Sequence, residues 1–302
     1  MLWAFIPLVA AHLVEAQEPS AGDAAHFLRD GLGARSRGMG SAFVSVASDL
    51  TASYWNPAGV PSVSGFCIGG TYEGRFEGLV SAQYLAGAYS QEDWGVGIIW
   101  YALDIYSVGF LAIGIRGKNF QMGATAKIYK FASTTQSADG FGFDGGILIF
   151  HRFEEMGFNL TLGFVSRDIG WTAIRWRGPG IDMVDHVAWV NRLGVSVSSE
   201  WAFGSWLISA DLEVALKRPP RPGETDYLSK ALQTRVDLGA EFWLQVFALR
   251  IGFADVGSRG FAGIFACPSF GVGVKWAGLE LDAAWTTSPL GFTYLLSAEF
   301  VF

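Results

Sequence analysis

A hydrolytic centre needs a nucleophile beside a positioned base, and this chain has few bases to offer. His26, His151 and His186 stand far apart in sequence. Asp185 and His186 are neighbours, yet Ser196 and Ser198 do not complete a triad with them by spacing. No Cys/His cluster has the spacing of metal ligands, and Cys67 and Cys267 are too few for a disulfide scaffold. The pairs Gly140/Gly142 and Gly271/Gly273 fall in or at the ends of apolar, alternating segments, so they do not read as phosphate loops. A formal net charge of −7 argues against a nucleic-acid partner, which calls for a basic stripe. Neither an enzyme nor a cofactor is expected.

The charges that do occur share one side of alternating segments. Asp211 and Glu213 alternate with Trp206, Ile208, Ala210, Leu212 and Val214. Arg235, Asp237 and Glu241 alternate with Val236, Leu238, Ala240 and Phe242, and Glu280 and Asp282 with Leu279, Leu281, Ala283 and Trp285. Glu299 opposes Phe292, Tyr294, Leu296, Phe300 and Phe302. Lys127, Arg192, Arg250 and Lys275 fit the same pattern. An Arg or Lys on a lipid face near mid-membrane costs about 2–4 kcal/mol. If the apolar sides meet lipid, all these charges face a lumen.

Composition agrees with that geometry. Hydrophobic residues make up 51% of the 302 and charged residues only 16%, against about 25% charged in soluble domains. Beyond residue 16 no apolar run reaches the ~18 residues of a membrane helix. Dispersed apolarity instead predicts about fourteen amphipathic strands between residues 64 and 302, in an antiparallel up-and-down transmembrane β-barrel. Connections after even strands are short. Those after odd strands include 132–140, 168–186, 217–233 and 255–267. Short turns on one rim and long loops on the other are the build of an outer-membrane barrel, with the short turns periplasmic. In the loop 168–186, Trp171, Ile174, Trp176 and Ile181 could catch lipid or contact a partner, and anchoring at the membrane interface is the favoured reading.

Residues 1–16 read as a secretory leader, with Val14 and Ala16 fitting a small-residue cleavage site. Residues 17–63 read as a folded plug ahead of the barrel. Their centre is GARSRGMGSAFVSVASDLTASYWNPAGV, residues 33–60. Glycines there permit tight bends, Asp49 begins a short helical turn, and Asn56-Pro57-Ala58-Gly59 is a turn signal. Phe43, Tyr54 and Trp55 are candidates either to line an apolar path or to pack the plug. Arg35 and Arg37 are expected to dock on lumen acids such as Glu280, Asp282 or Glu299.

This stretch resembles the N-terminal region of the FadL-like outer-membrane proteins, especially the PorV/PorQ branch. The match is carried by Gly33, Ala34, Arg35, Gly38, Met39, Gly40, Ala42, Asp49, Trp55, Asn56, Pro57, Ala58 and Gly59. The resemblance implies a fourteen-stranded barrel of the bacterial outer membrane with an N-terminal hatch in its lumen. It further implies one of two roles. FadL-like members move hydrophobic compounds. PorV-like members are accessory barrels of a secretion system and would bind a protein partner through outer loops.

Overall fold

The computed structural model describes residues 24–219, 227–256, 267–288 and 291–302. The expected leader, 1–16, lies outside them. Among the described residues are sixteen strands. They are β1 (Phe66–Arg75), β2 (Val80–Ser90), β3 (Trp94–Leu103), β4 (Tyr106–Arg116), β5 (Phe120–Ala132), β6 (Ser137–Phe153), β7 (Phe158–Arg167) and β8 (Ala173–Gly178). There follow β9 (Ile181–His186), β10 (Trp189–Trp201), β11 (Gly204–Leu216), β12 (Leu232–Leu244), β13 (Phe247–Phe253), β14 (Pro268–Trp276), β15 (Leu279–Ser288) and β16 (Gly291–Val301).

Each barrel strand pairs antiparallel with its neighbours. The ring closes where β1 meets β16, in a register that sets Cys67 opposite Val301. Strands β8 and β9 form a hairpin attached to β6. Sixteen less these two leaves a closed fourteen-stranded barrel. Closure removes every sheet edge, which a bilayer demands because it offers no water to unpaired backbone groups.

The alternation explains both faces. Leu85 (73% exposed), Ile98, Leu111, Phe143, Leu193 and Leu249 point outward, while their chain neighbours point in. Tyr72 lies 6.2 Å from Tyr294, and Phe66 5.6 Å from Phe302, across the closing seam. Turns after β2, β4, β6, β10, β12 and β14 share a rim with the start of β1 and the end of β16. The opposite rim carries the long connections, although β3 and β4 are joined there by Asp104 and Ile105 alone.

The loop 168–186 departs from expectation, because most of it is the β8–β9 hairpin. Strand β7 stops at Arg167 while β6 continues toward the long-loop rim, and β8 pairs with that free stretch, Gly140 opposite Ile174. The loop's apolar side chains therefore turn toward the barrel end. Ile174 is buried, Trp176 packs on Phe131 at 4.7 Å, and the Trp171 indole donates to the Leu216 carbonyl at 3.0 Å. Ile181 is half-buried.

Leu111→Arg, at mid-strand on the outer face, is expected to cost about 2–4 kcal/mol in reversible urea unfolding from lipid vesicles. The same change at Leu79, beyond the end of β1, should cost close to nothing.

Candidate functional site

Residues 24–63 touch inward-facing residues of strands all around the ring, and so occupy the lumen. The Ala24 N–H donates to the His186 carbonyl at the long-loop rim, 3.1 Å. Arg116 and Ser90 donate to the carbonyls of Pro61 and Val63 at the short-turn rim. The segment thus runs the length of the barrel. Short helical turns at His26–Asp30, Ala34–Gly38, Ala52–Trp55 and Pro57–Ser62 fold it. Asn56 anchors the last bend. Its side-chain oxygen accepts from the Ala58 N–H at 3.1 Å, and its amide donates to the carbonyls of Val44 (3.1 Å) and Ile147 of β6 (3.2 Å).

Where this backbone meets the wall, the wall has no side chain. A Cβ on Gly163 would stand 2.7 Å from the Val44 carbonyl oxygen, and one on Gly239 2.4 Å from that of Met39. Wall glycines face one another across strands: Gly123 opposite Gly146, Gly163 opposite Gly194, Gly239 opposite Gly252. The motif answers in kind. Gly40 has φ +63° and lies against the backbone of Phe253, Gly38 rests on Gly271, Pro57 on Gly123, and Gly59 on the Ala47 carbonyl. Gly33 also has positive φ, +93°.

On the β10–β15 side the lumen is charged. Arg35 grips Glu241 with two donors, at 2.8 and 2.9 Å, and lies 3.5 Å from Asp49. The same Glu241 accepts from Arg250 at 2.6 Å, and Arg250 also pairs with Asp282. Arg192 pairs with Asp237 and, at 3.5 Å, with Glu213, which holds Arg29 at 2.6 Å. Arg235 pairs with Asp237 at 2.7 Å. Asp211 accepts the N–H groups of Phe43 (2.8 Å) and Val44 (3.0 Å). Lys275 and Glu280 pair at 3.5 Å, with Lys275 largely exposed. Glu299 borders a small void with Asp49 and Leu50.

The expected docking partners are corrected by this geometry. Arg35 takes Glu241 rather than Glu280, Asp282 or Glu299. Arg37 donates to the Asp30 carbonyl and, at 3.2 Å, to Thr286. Seating Gly38 on Gly271 places Arg35 beside β12, where Glu241 already lies between it and Arg250.

On the β3–β6 side Ile99, Tyr101, Val108, Phe110 and Tyr129 turn inward and are buried, and charge is gathered into the pairs of Lys127 with Asp144 and Asp168 and of Arg75 with Glu73. Phe27 stacks on Tyr101 at 5.8 Å and touches Tyr106 at 5.2 Å; Tyr106 touches Phe131 at 4.9 Å. With Trp176 this makes an unbroken aromatic run from the hairpin into the lumen. Phe43, Tyr54 and Trp55 are buried at its inner end. Tyr54 packs on Phe110 at 5.9 Å, the Trp55 indole donates to the Leu32 carbonyl at 2.9 Å, and Arg167 and Arg192 each lie 5.3 Å from the Trp55 ring. Two voids beside the start of the segment are about 30 Å³ each, room for about one water apiece. A polar cavity of about 220 Å³ at the short-turn rim reaches Arg35 and Glu241.

Sequence reasoning missed the aromatic run and the wall glycines, and it also missed a buried knot where Lys127 meets Asp144 (2.7 Å) and Asp168 (2.6 Å). The glycines left a signal, since they recur at inward positions of successive strands. The aromatic run left none, because Phe27, Tyr106 and Phe131 belong to three separate segments.

Comparison with known proteins places this architecture. The toluene transporter TodX of P. putida superposes with a TM-score of 0.57 at 12% identity, covering 90% of this chain and 99% of its own. The Ralstonia pickettii toluene transporter TbuX gives 0.53 at 12%, covering 91% and 100%. The CymD monoaromatic hydrocarbon channel gives 0.53 at 10%, covering 90% and 98%. The fold is FadL-like. No family model matches the chain, and no curated protein matches it in sequence.

Two substitutions test the seating of the segment. Glu241→Gln takes the shared carboxylate from Arg35 and Arg250, and loss of one partner of a buried pair costs about 3–5 kcal/mol. Hydrogen exchange across residues 34–40 should accelerate strongly, whereas Glu280→Gln should leave it near wild type. Gly163→Val should displace Val44 and Ser45, read as new tryptic cleavage at Arg35 or Arg37 in the folded barrel.

Proposed function

We propose that the chain is a plugged outer-membrane channel that moves small hydrophobic compounds inward. The outward apolar belt meets outer-membrane lipid, residues 1–16 are the export leader, and residues 17–63 are the hatch. The observation that carries the reading is the aromatic run Trp176–Phe131–Tyr106–Phe27–Tyr101, which descends from the long-loop rim along an apolar wall. A hydrophobic entrant can replace those ring contacts one at a time and meets a charge only at the inner end, where Arg75 donates to the Tyr101 hydroxyl at 3.1 Å. An ion or sugar finds no such partner there.

In this mechanism the lumen is not an open aqueous pore. Cargo enters between Phe27 and the β4–β6 wall, and the hatch yields along its apolar side, past Tyr54 and Trp55. The ion pairs of Arg29, Arg35 and Arg192 hold the other side. Solved barrels of the same fold include two toluene transporters and a monoaromatic hydrocarbon channel, and cargo of that size and polarity suits an aromatic run. The motif's likeness to the PorV/PorQ branch supports a second reading, an accessory barrel that binds a secretion-system protein through its outer loops.

Cells expressing the protein should accumulate radiolabelled toluene faster than cells lacking it, while planar bilayers show conductance near zero. Phe131→Lys should return uptake to background with the barrel still folded. A steady porin-like conductance, or uptake no faster than in control cells, refutes the channel reading. Capture of a protein partner without uptake would establish the accessory role.

A further inference from the structure

A sizeable hollow lies on the outside of the barrel. It is a groove of about 760 Å³, centred on the β1–β16 seam and reaching from β14 to β3, within the range of small-molecule sites, about 300–1,000 Å³. Two neighbouring rows of outward residues line it. One runs Val274, Leu281, Ala298, Gly70, Leu85, Trp100, each opposite the next across the strand ladder. In the other, Ala283 and Ala102 lie at either side of Tyr72 and Gln83. The floor is low at Gly70, Ala298, Ala283 and Ala102. Its sides are raised by Trp100, Leu85, Tyr72 and Leu281, all exposed. Six strands about 4.8 Å apart give a length of about 24 Å.

Two features say what fills it. The groove is continuous with the apolar belt, so the phase against it is hydrocarbon. A hollow there holds a chain or stays empty, and an empty one forfeits the contacts of its whole lining. The second feature is Gln83, an outward, exposed amide that no described residue hydrogen-bonds. A side-chain amide facing lipid needs a polar partner from the lipid itself.

We propose that this groove is a binding site for one membrane phospholipid, whose acyl chain lies along the Gly70–Ala298 floor and whose ester carbonyl accepts from the Gln83 amide. The backing wall is intact, because Thr71 pairs with Ser297 and Gly70 with Ala298 across the seam. The site is therefore separate from the lumen and independent of what the lumen carries. A chain held there covers the closing seam, where the first and last strands of the barrel meet.

The test reconstitutes the protein in vesicles of phosphatidylethanolamine and phosphatidylglycerol, extracts it in mild detergent, and counts phospholipid per chain by mass spectrometry after gel filtration. The wild type should retain one phospholipid per barrel. Ala298→Trp with Ala283→Trp fills the groove from outside without touching the strand ladder, and retention should fall about tenfold. Ala124→Trp, outward on β5, two strands beyond the groove's β3 edge, should retain as much as wild type and shows that an added outer Trp is tolerated. Gln83→Leu should weaken retention and abolish any preference among ester and ether lipids. A wild type stripped of lipid, or a filled groove that retains it equally, overturns the proposal. So does a wild-type dimer that the double variant makes monomeric, which would assign the groove to a second copy, or displacement of the lipid by toluene, which would assign it to cargo.

Discussion

A backbone laid against the inner wall of a barrel must exchange water for the wall itself, group by group, or pay about 1–3 kcal/mol for each buried donor or acceptor left unpaired. The segment 24–63 has little regular structure to satisfy its own amides. The wall satisfies them instead. Ser209 donates to the Ala42 carbonyl (2.7 Å), Thr125 to that of Ser53 (2.9 Å) and Ser269 to that of Gly38 (3.3 Å). Asp211 takes two amides and Ser297 takes that of Ala34 at 2.9 Å. Such contacts need the two backbones close together, and the glycines of β5–β7, β10 and β12–β14 allow it. Hydroxyls, Asp211 and glycines together make the inner wall a mould for one particular chain path.

The two halves of the lumen then divide the work. Breaking a buried ion pair strands a charge, so the β10–β15 side resists displacement. The ring contacts of Phe27 and Tyr54 with the β3–β4 wall are apolar and non-directional, and a guest of similar surface can replace them at small net cost. Any opening that keeps most of the fold intact should therefore develop between the segment and the β3–β6 wall, hinged on the Arg35–Glu241 and Arg192–Asp237 side.

Strands and lumen charges were legible because lipid imposes a strict rule on every second residue. The alternation of Trp206 through Val214 marks what is β11, and alternation alone places Asp211, Glu213, Asp237 and Glu241 inside. Docking was not legible. Whether Arg35 meets Glu241 or Glu299 depends on how residues 33–40 turn, and that is set by Gly38 meeting Gly271, a contact between positions more than two hundred residues apart. The β8–β9 hairpin was hidden for a related reason. Its pairing depends on β6 outlasting β7, a difference in strand length that neither segment announces by itself, and its apolar residues look the same whether they face a leaflet or a lumen.

The start of the segment and the hairpin are also one unit mechanically. Ala24 pairs with Val187 just past β9, and Ala24, Ala25 and Phe27 border the same small void as Ile174 and Trp176. Lifting the hairpin without moving Phe27 would break the Ala24 bond to His186 and expose the aromatic run to water. Moving Phe27 without the hairpin would leave Trp176 and Phe131 packed over an empty space. The less costly path moves both together, so in the channel we propose the outer cover of the lumen and the top of the segment inside it would open as one unit.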